Sequence, residues 1–136
     1  VTGHTGFKGA WLCLWLQRLG AEVTGFALPA PEPGLFRLAD AGADMVSVTG
    51  DIRDRAALAS ALRRAAPEVV IHMAAQALVR RSYADPVESF ATNVMGTVNL
   101  LDIARDLPGL RAVVNVTSDK CYANDGSGRA FAEDDP

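Results

Sequence analysis

Much is missing from this 136-residue chain. Its two cysteines, Cys13 and Cys121, are too few for a disulfide framework, so free thiols in a reducing, cytoplasmic compartment are expected. No apolar run approaches the ~20 residues that span a bilayer, which excludes a transmembrane helix and a membrane partner of that kind. No charged start leads into an apolar stretch, so no secretory signal is expected. An excess of charge is absent as well: 13 basic and 16 acidic residues give −3, which argues against nucleic acid as a partner. No metal site is expected. The chain does not begin with Met; Val1 opens on what reads as the stump of a strand, so a fragment is expected. What is present is an ordinary globular balance, 49% apolar and 21% charged, in about one domain's length.

Short β-rich runs alternate with helical ones. After the Val1-Thr2 stump, Phe7 to Leu19 reads as a helix with Trp11, Leu12, Trp15, Leu16 and Leu19 at helical spacing, closed by Gly20. Strands are expected at Glu22 to Ala27 and Met45 to Thr49, separated by a loop rich in proline (Pro29, Pro31, Pro33) that ends at Gly34. Asp54 caps a helix that stops before Pro67. Val69 to Met73 is apolar on both faces, as central parallel strands are. Asp85, Pro86 and Glu88 begin the longest helix with a capping box, and its broad apolar face runs from Val87 through Phe90, Val94, Met95, Val98 and Leu101. Ala112 to Thr117 is the last strand. This order predicts an α/β fold: a doubly wound, Rossmann-like parallel sheet, truncated, with ligands bound along the C-terminal edge of its strands.

Gly3-His4-Thr5-Gly6-Phe7-Lys8-Gly9 joins the first strand to the first helix. Three glycines so placed fit a dinucleotide turn: Gly3 for the bend, Gly6 for close approach of a pyrophosphate, Gly9 for helix-on-strand contact. The N-terminus of the following helix offers free N–H groups and the positive end of its dipole. A glycine-rich turn without a ligand is the competing reading. The spacing Gly-x-x-Gly-x-x-Gly, with no Gly-Lys-Ser/Thr after it, excludes a P-loop.

Here the sequence resembles the extended branch of the short-chain dehydrogenase/reductase superfamily. The glycine turn and four further segments match in order: Gly50 to Asp54, His72 to Gln76, Thr92 to Thr97, and Val116 to Tyr122. Within the superfamily, His4, Phe7 and Lys8 in the turn and Ser118-Asp119-Lys120 are similar to the CDP-glucose 4,6-dehydratases. The resemblance implies NAD as cofactor, a nucleotide-sugar substrate (CDP-glucose), and a homodimer through two long helices. It also implies that residues 1–136 are part of an NAD-binding domain without the substrate domain.

The resemblance also assigns roles. Asp51 and Ile52 bracket the adenine, or else form a polar strand end. Ala74, Ala75 and Gln76 let the cofactor ribose lie against the backbone. Asn93 holds a water or a backbone group behind the site. His4 contacts cofactor or faces solvent, and His72 is a packing residue rather than a catalyst. Arg80 and Arg81 meet a pyrophosphate or stay solvated. Ser118 bonds the sugar, Asp119 is the acid that protonates the departing hydroxyl, and Lys120 stands where the family usually has Glu. A neutral Lys120 could remove the C5 proton; a charged one could hold substrate or stabilise an enolate.

Two departures stand out. The acid that bonds the ribose at the end of the second strand is replaced by Ala27 or Leu28, with Glu32 the next acid along. The superfamily's Tyr-x-x-x-Lys pair is absent, since Val87 follows Tyr83 and Gly126 follows Tyr122 at that spacing. The expectation is therefore a lyase in full-length form and an inactive fragment by itself. A sugar-nucleotide epimerase or decarboxylase, or a non-catalytic NAD-binding domain, are the alternatives.

Overall fold

A two-residue stub holds the sheet together. In the computed structural model, β1 (Thr24–Ala27) pairs in parallel with β2 (Val46–Thr49), and β3 (Val69–His72) with β4 (Ala112–Asn115). Thr2 bridges Phe26 on one side and His72 on the other, both in parallel. The Gly3 N–H donates to the Phe26 carbonyl at 2.9 Å and the Thr2 N–H to Ile71 at 3.0 Å. Across the sheet the order is therefore β2, β1, stub, β3, β4. The chain winds outward from the stub to one side, then crosses over and winds outward to the other. In doubly wound sheets such a reversal, here between the stub and β3, is where a ligand crevice forms outside the C-terminal ends of the strands. The doubly wound order is the expected one. The structure describes residues 1–123, 126 and 128–136; of Asp119 only the backbone is described.

Helix α1 (Phe7–Arg18) ends with Leu19 as its cap, and Gly20 follows with φ +82°. Its buried residues are Gly9, Ala10 and Cys13, while Trp11, Trp15 and Leu19 are exposed. The sequence pattern suggested the tryptophan face as the core side. The small-residue face wins because α1 lies close to the stub: a Cβ on Gly9 would sit 2.1 Å from the Gly3 carbonyl oxygen. A one-turn helix, α2 (Leu35–Leu38), follows the proline loop. Helix α3 (Arg55–Ala65) is capped by Asp54, whose carboxylate accepts the Ala57 N–H at 3.0 Å, and ends at Ala66 in a left-handed conformation.

A short helix that the sequence did not suggest, α4 (Val79–Ala84), precedes the long one. The long helix itself is broken into α5 (Pro86–Phe90), a π-turn (Ala91–Met95) and α6 (Gly96–Ala104). Asp85 caps α5 through the Glu88 N–H at 2.9 Å. The reciprocal half of the expected capping box is not made; the Glu88 carboxylate takes the Arg81 guanidinium instead, at 2.6 and 2.7 Å. The expected apolar run Val87, Phe90, Val94, Met95, Val98 and Leu101 stays exposed; it is Leu100 and Ile103 that enter the core, with Phe26, Ile52, Leu58 and Val70. Contacts between α3 and α6, with an Arg55–Asp102 ion pair at 2.6 Å, close the layer on that face of the sheet. Among the described residues no helix is long and apolar enough to cross a membrane.

Candidate cofactor site

The three glycines of the first turn have different reasons to be glycine. Gly3 has φ +74°, and a Cβ there would lie 2.8 Å from the Ala74 nitrogen. The fold itself requires it, as it requires Gly9. Gly6 is different. Its backbone is extended at φ −75°, a conformation any residue adopts, and a Cβ would meet only the Gly3 oxygen, at 3.4 Å. Nothing in the chain needs glycine there, and the space outside it is open. The Gly6 N–H closes the turn onto the Gly3 carbonyl at 3.1 Å, and Gly6 then starts α1 without a side-chain cap. The first-turn N–H groups of α1 consequently point outward with no protein acceptor supplied by a cap, an arrangement suited to phosphate oxygens. Phe7 and Lys8 are exposed beside it, and the Thr5 hydroxyl ties the loop to the Leu28 carbonyl at 3.0 Å.

His4 does not face this open space. Its side chain is fully buried, with Nε2 2.7 Å from the Ser47 hydroxyl and its ring edge-on to Phe36. Nδ1 lacks a hydrogen-bond partner. Burial, aided by the Val1 ammonium and opposed by the Phe26 carbonyl, pushes the His4 pKa down to about 4. The ring is a neutral wedge between loop and strand rather than a cofactor contact. The contacts with Ser47 of β2 and Phe36 of α2, which the sequence could not reveal, fix this orientation.

Across the crevice, Ala74, Ala75 and Gln76 follow β3 and lie against the glycine turn, as the Gly3–Ala74 approach shows. Two clamps hold this segment. The Thr2 hydroxyl oxygen accepts the N–H groups of Met73 and Ala74, each at 3.1 Å. The Asn93 carboxamide, carried by the π-turn, binds the Gln76 backbone at both its N–H and its carbonyl. The Gln76 side chain in turn bonds Leu78 and the Ser89 hydroxyl. Asn93 therefore acts on the loop backbone. Thr2, Ser89 and Thr97 are partners that sequence reasoning missed; a threonine or serine in an apolar segment carries no distinguishing signal.

Past the end of β2, Asp51 is gripped by Arg53 through its backbone N–H at 2.9 Å and its guanidinium at 2.5 to 3.0 Å. These hydrogen bonds hold its carboxyl below the usual range. Ile52 is only 4% exposed and lies against Gly96, where a Cβ would come within 2.5 Å of its Cδ1. Its apolar side chain belongs to the core, so an adenine would find Asp51 and backbone at this edge. Ala27 is buried and Leu28 exposed at the end of β1, and neither offers a carboxylate.

Ser118, Asp119 and Lys120 follow β4 at the same edge of the sheet, with Asp119–Cys121 forming a 3₁₀ turn. The Ser118 hydroxyl accepts the Lys120 N–H at 3.1 Å. The side chain of Asp119, the expected acid, lies outside the described residues. Arg81 is committed to Glu88, while Arg80 is exposed. Among the described residues there is no group of three or more His, Cys, Asp or Glu able to hold a metal ion.

The profile of the NAD dependent epimerase/dehydratase family matches residues 1–136. The chain is 51% identical over 137 residues to the CDP-glucose 4,6-dehydratase of Salmonella typhimurium, covering all of this chain and 38% of that protein. It is 33% identical over 146 residues to a dTDP-glucose 4,6-dehydratase of Xanthomonas campestris pv. campestris, covering all of this chain and 42% of the relative. Among solved structures, a UDP-glucose-4-epimerase from Stenotrophomonas maltophila with bound NAD and formylated UDP-arabinopyranose superposes with a TM-score of 0.81. That pair is 29% identical over 95% of this chain and 39% of the other. The chain thus spans about two fifths of the length of these relatives.

Proposed function

This chain belongs to the NAD-dependent epimerase/dehydratase family, and on that premise we propose that it forms the cofactor-binding part of a sugar-nucleotide 4,6-dehydratase, a lyase that acts on CDP-glucose. The observation that carries the dehydratase reading is the likeness to the Salmonella enzyme, which runs through the whole chain and is much greater than that to the dTDP-glucose enzyme.

The residues present fit NAD. The space beyond Gly6 is a cradle that a Cβ would fill and that the fold does not otherwise require. The uncapped start of α1 offers N–H groups to a pyrophosphate, Asp51 offers a carboxylate to the adenosine end, and the clamped Ala74–Gln76 segment forms a wall for the nicotinamide ribose. Bound NAD supplies reversible hydride acceptance. The chain's own residues bind, orient and move protons. Ser118 donates a hydrogen bond to the sugar. Asp119 delivers a proton to the departing C6 hydroxyl. Lys120 serves the C5 side, as base when neutral or as anchor when charged.

The protein is read as cytoplasmic, and as a homodimer. The dimer reading is supported by the exposed apolar stripe on α5 and α6, where Phe90 is 68% exposed. The experiment that tests the function incubates the full-length protein with CDP-glucose and NAD⁺ and analyses the product by mass spectrometry. A 4-keto-6-deoxy product, lighter by one water, is expected. A C4 epimer of unchanged mass would replace the dehydratase reading with an epimerase one.

A further inference from the structure

We propose that His72 is a positioning residue for the cofactor, holding the two sides of the crevice together in one defined tautomer, with the proton on Nε2. His72 is buried at the end of β3, with Nδ1 2.6 Å from the Thr2 hydroxyl and Nε2 3.1 Å from the Thr97 hydroxyl. The proton positions follow from counting donors. The Thr2 oxygen already accepts two N–H groups, from Met73 and Ala74, and these occupy both its lone pairs. Its own proton can go only to His72 Nδ1, which must then be the bare nitrogen. At the other end, the Thr97 hydroxyl donates to the Asn93 carbonyl at 2.7 Å, so it has only lone pairs left for His72. Nε2 must therefore carry the proton. The opposite tautomer would lose both bonds, and a protonated ring would lose the one to Thr2. Burial lowers the His72 pKa and so favours the neutral ring.

The result is a one-way chain of hydrogen bonds: Thr2 to His72, His72 to Thr97, Thr97 to the Asn93 backbone. Its two ends matter. Thr2 precedes Gly3 in the phosphate turn and clamps Met73 and Ala74. Asn93 sits in the π-turn and clamps Gln76. Within this run of hydrogen bonds His72 joins the stub to the long helix, and so couples the two clamps. The tautomer follows from the geometry alone; the positioning role rests on the NAD reading above.

The test uses the full-length protein with ¹⁵N-labelled histidine. At neutral pH the His72 ring should show a pyridine-like Nδ1 and a pyrrole-like Nε2; the reverse pattern, or an imidazolium, overturns the proposal. NAD⁺ affinity is then measured by calorimetry for wild type, His72→Phe, Thr97→Val and the double variant. Each single change should raise Kd roughly five- to tenfold, the loss of about one hydrogen bond's contribution. The double variant should bind no worse than His72→Phe, because one chain is broken only once. His72→Gln, which can still donate toward Thr97, should recover part of the loss. Additive effects in a protein that binds NAD⁺ normally overturn the positioning role alone. A wild type that does not bind NAD⁺ overturns that role together with the cofactor reading.

Discussion

Asn93 holds Gln76 from both sides: its Oδ1 accepts the Gln76 N–H at 2.7 Å and its Nδ2 donates to the Gln76 carbonyl at 3.0 Å. A side chain from the interrupted helix thereby supplies an irregular loop with the pairing that a neighbouring strand would otherwise give. Asn93→Ala should lower the unfolding free energy by about 1–2 kcal/mol, two exposed-side hydrogen bonds being replaced by water. Asn93→Asp, which keeps the acceptor and loses the donor, should fall between. Denaturant titration reads the energies. Hydrogen exchange at the Gln76 amide reads the clamp directly, and unchanged protection in Asn93→Ala would show that the loop holds itself.

Gly6 and Gly9 should respond oppositely to the same substitution. A Cβ in Gly6→Val meets only the Gly3 carbonyl oxygen, at a contact distance of 3.4 Å, so the thermal midpoint should stay near that of wild type while NAD⁺ binding is lost. Gly9→Val drives a side chain into the Gly3 carbonyl and His4, and should unfold or severely destabilise the domain. Circular dichroism and calorimetry on both variants separate the two cases. Normal NAD⁺ affinity in Gly6→Val would remove the loop from the cofactor site.

Acid should weaken the fold through His4. Its folded pKa of about 4 lies below the ordinary value near 6.5, so between those pH values the unfolded chain binds a proton that the native one does not. The contribution is complete above about pH 6.5 and is lost as pH falls toward 4, amounting to about 3 kcal/mol at most. His72, also lowered by burial, acts in the same direction. Unfolding free energy measured across this window should rise with pH, and the slope should flatten in His4→Gln. An identical slope in the variant would place the titration elsewhere.

Asp119→Asn separates the two chemical stages of the proposed reaction. In the full-length protein, loss of the acid should slow water elimination by ~10²–10⁴-fold while leaving oxidation at C4 possible. Rapid-quench analysis should show a ketone that still carries its C6 hydroxyl, with absorbance from reduced nicotinamide. Normal turnover would exclude Asp119 as the acid. Failure to reduce the nicotinamide would assign it to the oxidation step.

The alternation of strand and helix, the caps at Asp54 and Asp85, and the glycine turn were legible in sequence because each is a local device. A cap needs one side chain and the next three residues; a turn needs a residue without a Cβ. The inward faces of the helices were not legible in this way. Trp11 and Trp15 follow the helical period as well as any core residues, yet α1 buries Gly9, Ala10 and Cys13, because the distance to the stub leaves no room for more. Likewise Glu88 completes a capping box by spacing alone, but Arg81, brought near by an unforeseen helix, takes its carboxylate.

By itself the sequence determined the fold class and the family, since both depend on the order of local patterns along the chain. Tertiary structure alone decided what each polar side chain faces. His4, Ile52 and His72 all stand in motifs of the family, yet one is wedged against Ser47, one fills the core beneath Gly96, and one bridges Thr2 and Thr97. Their partners lie 25 to 70 residues away, the widest span being that from Thr2 to His72. A hydrogen bond or a steric contact is set by distance in space, and only the folded sheet brings those residues within reach.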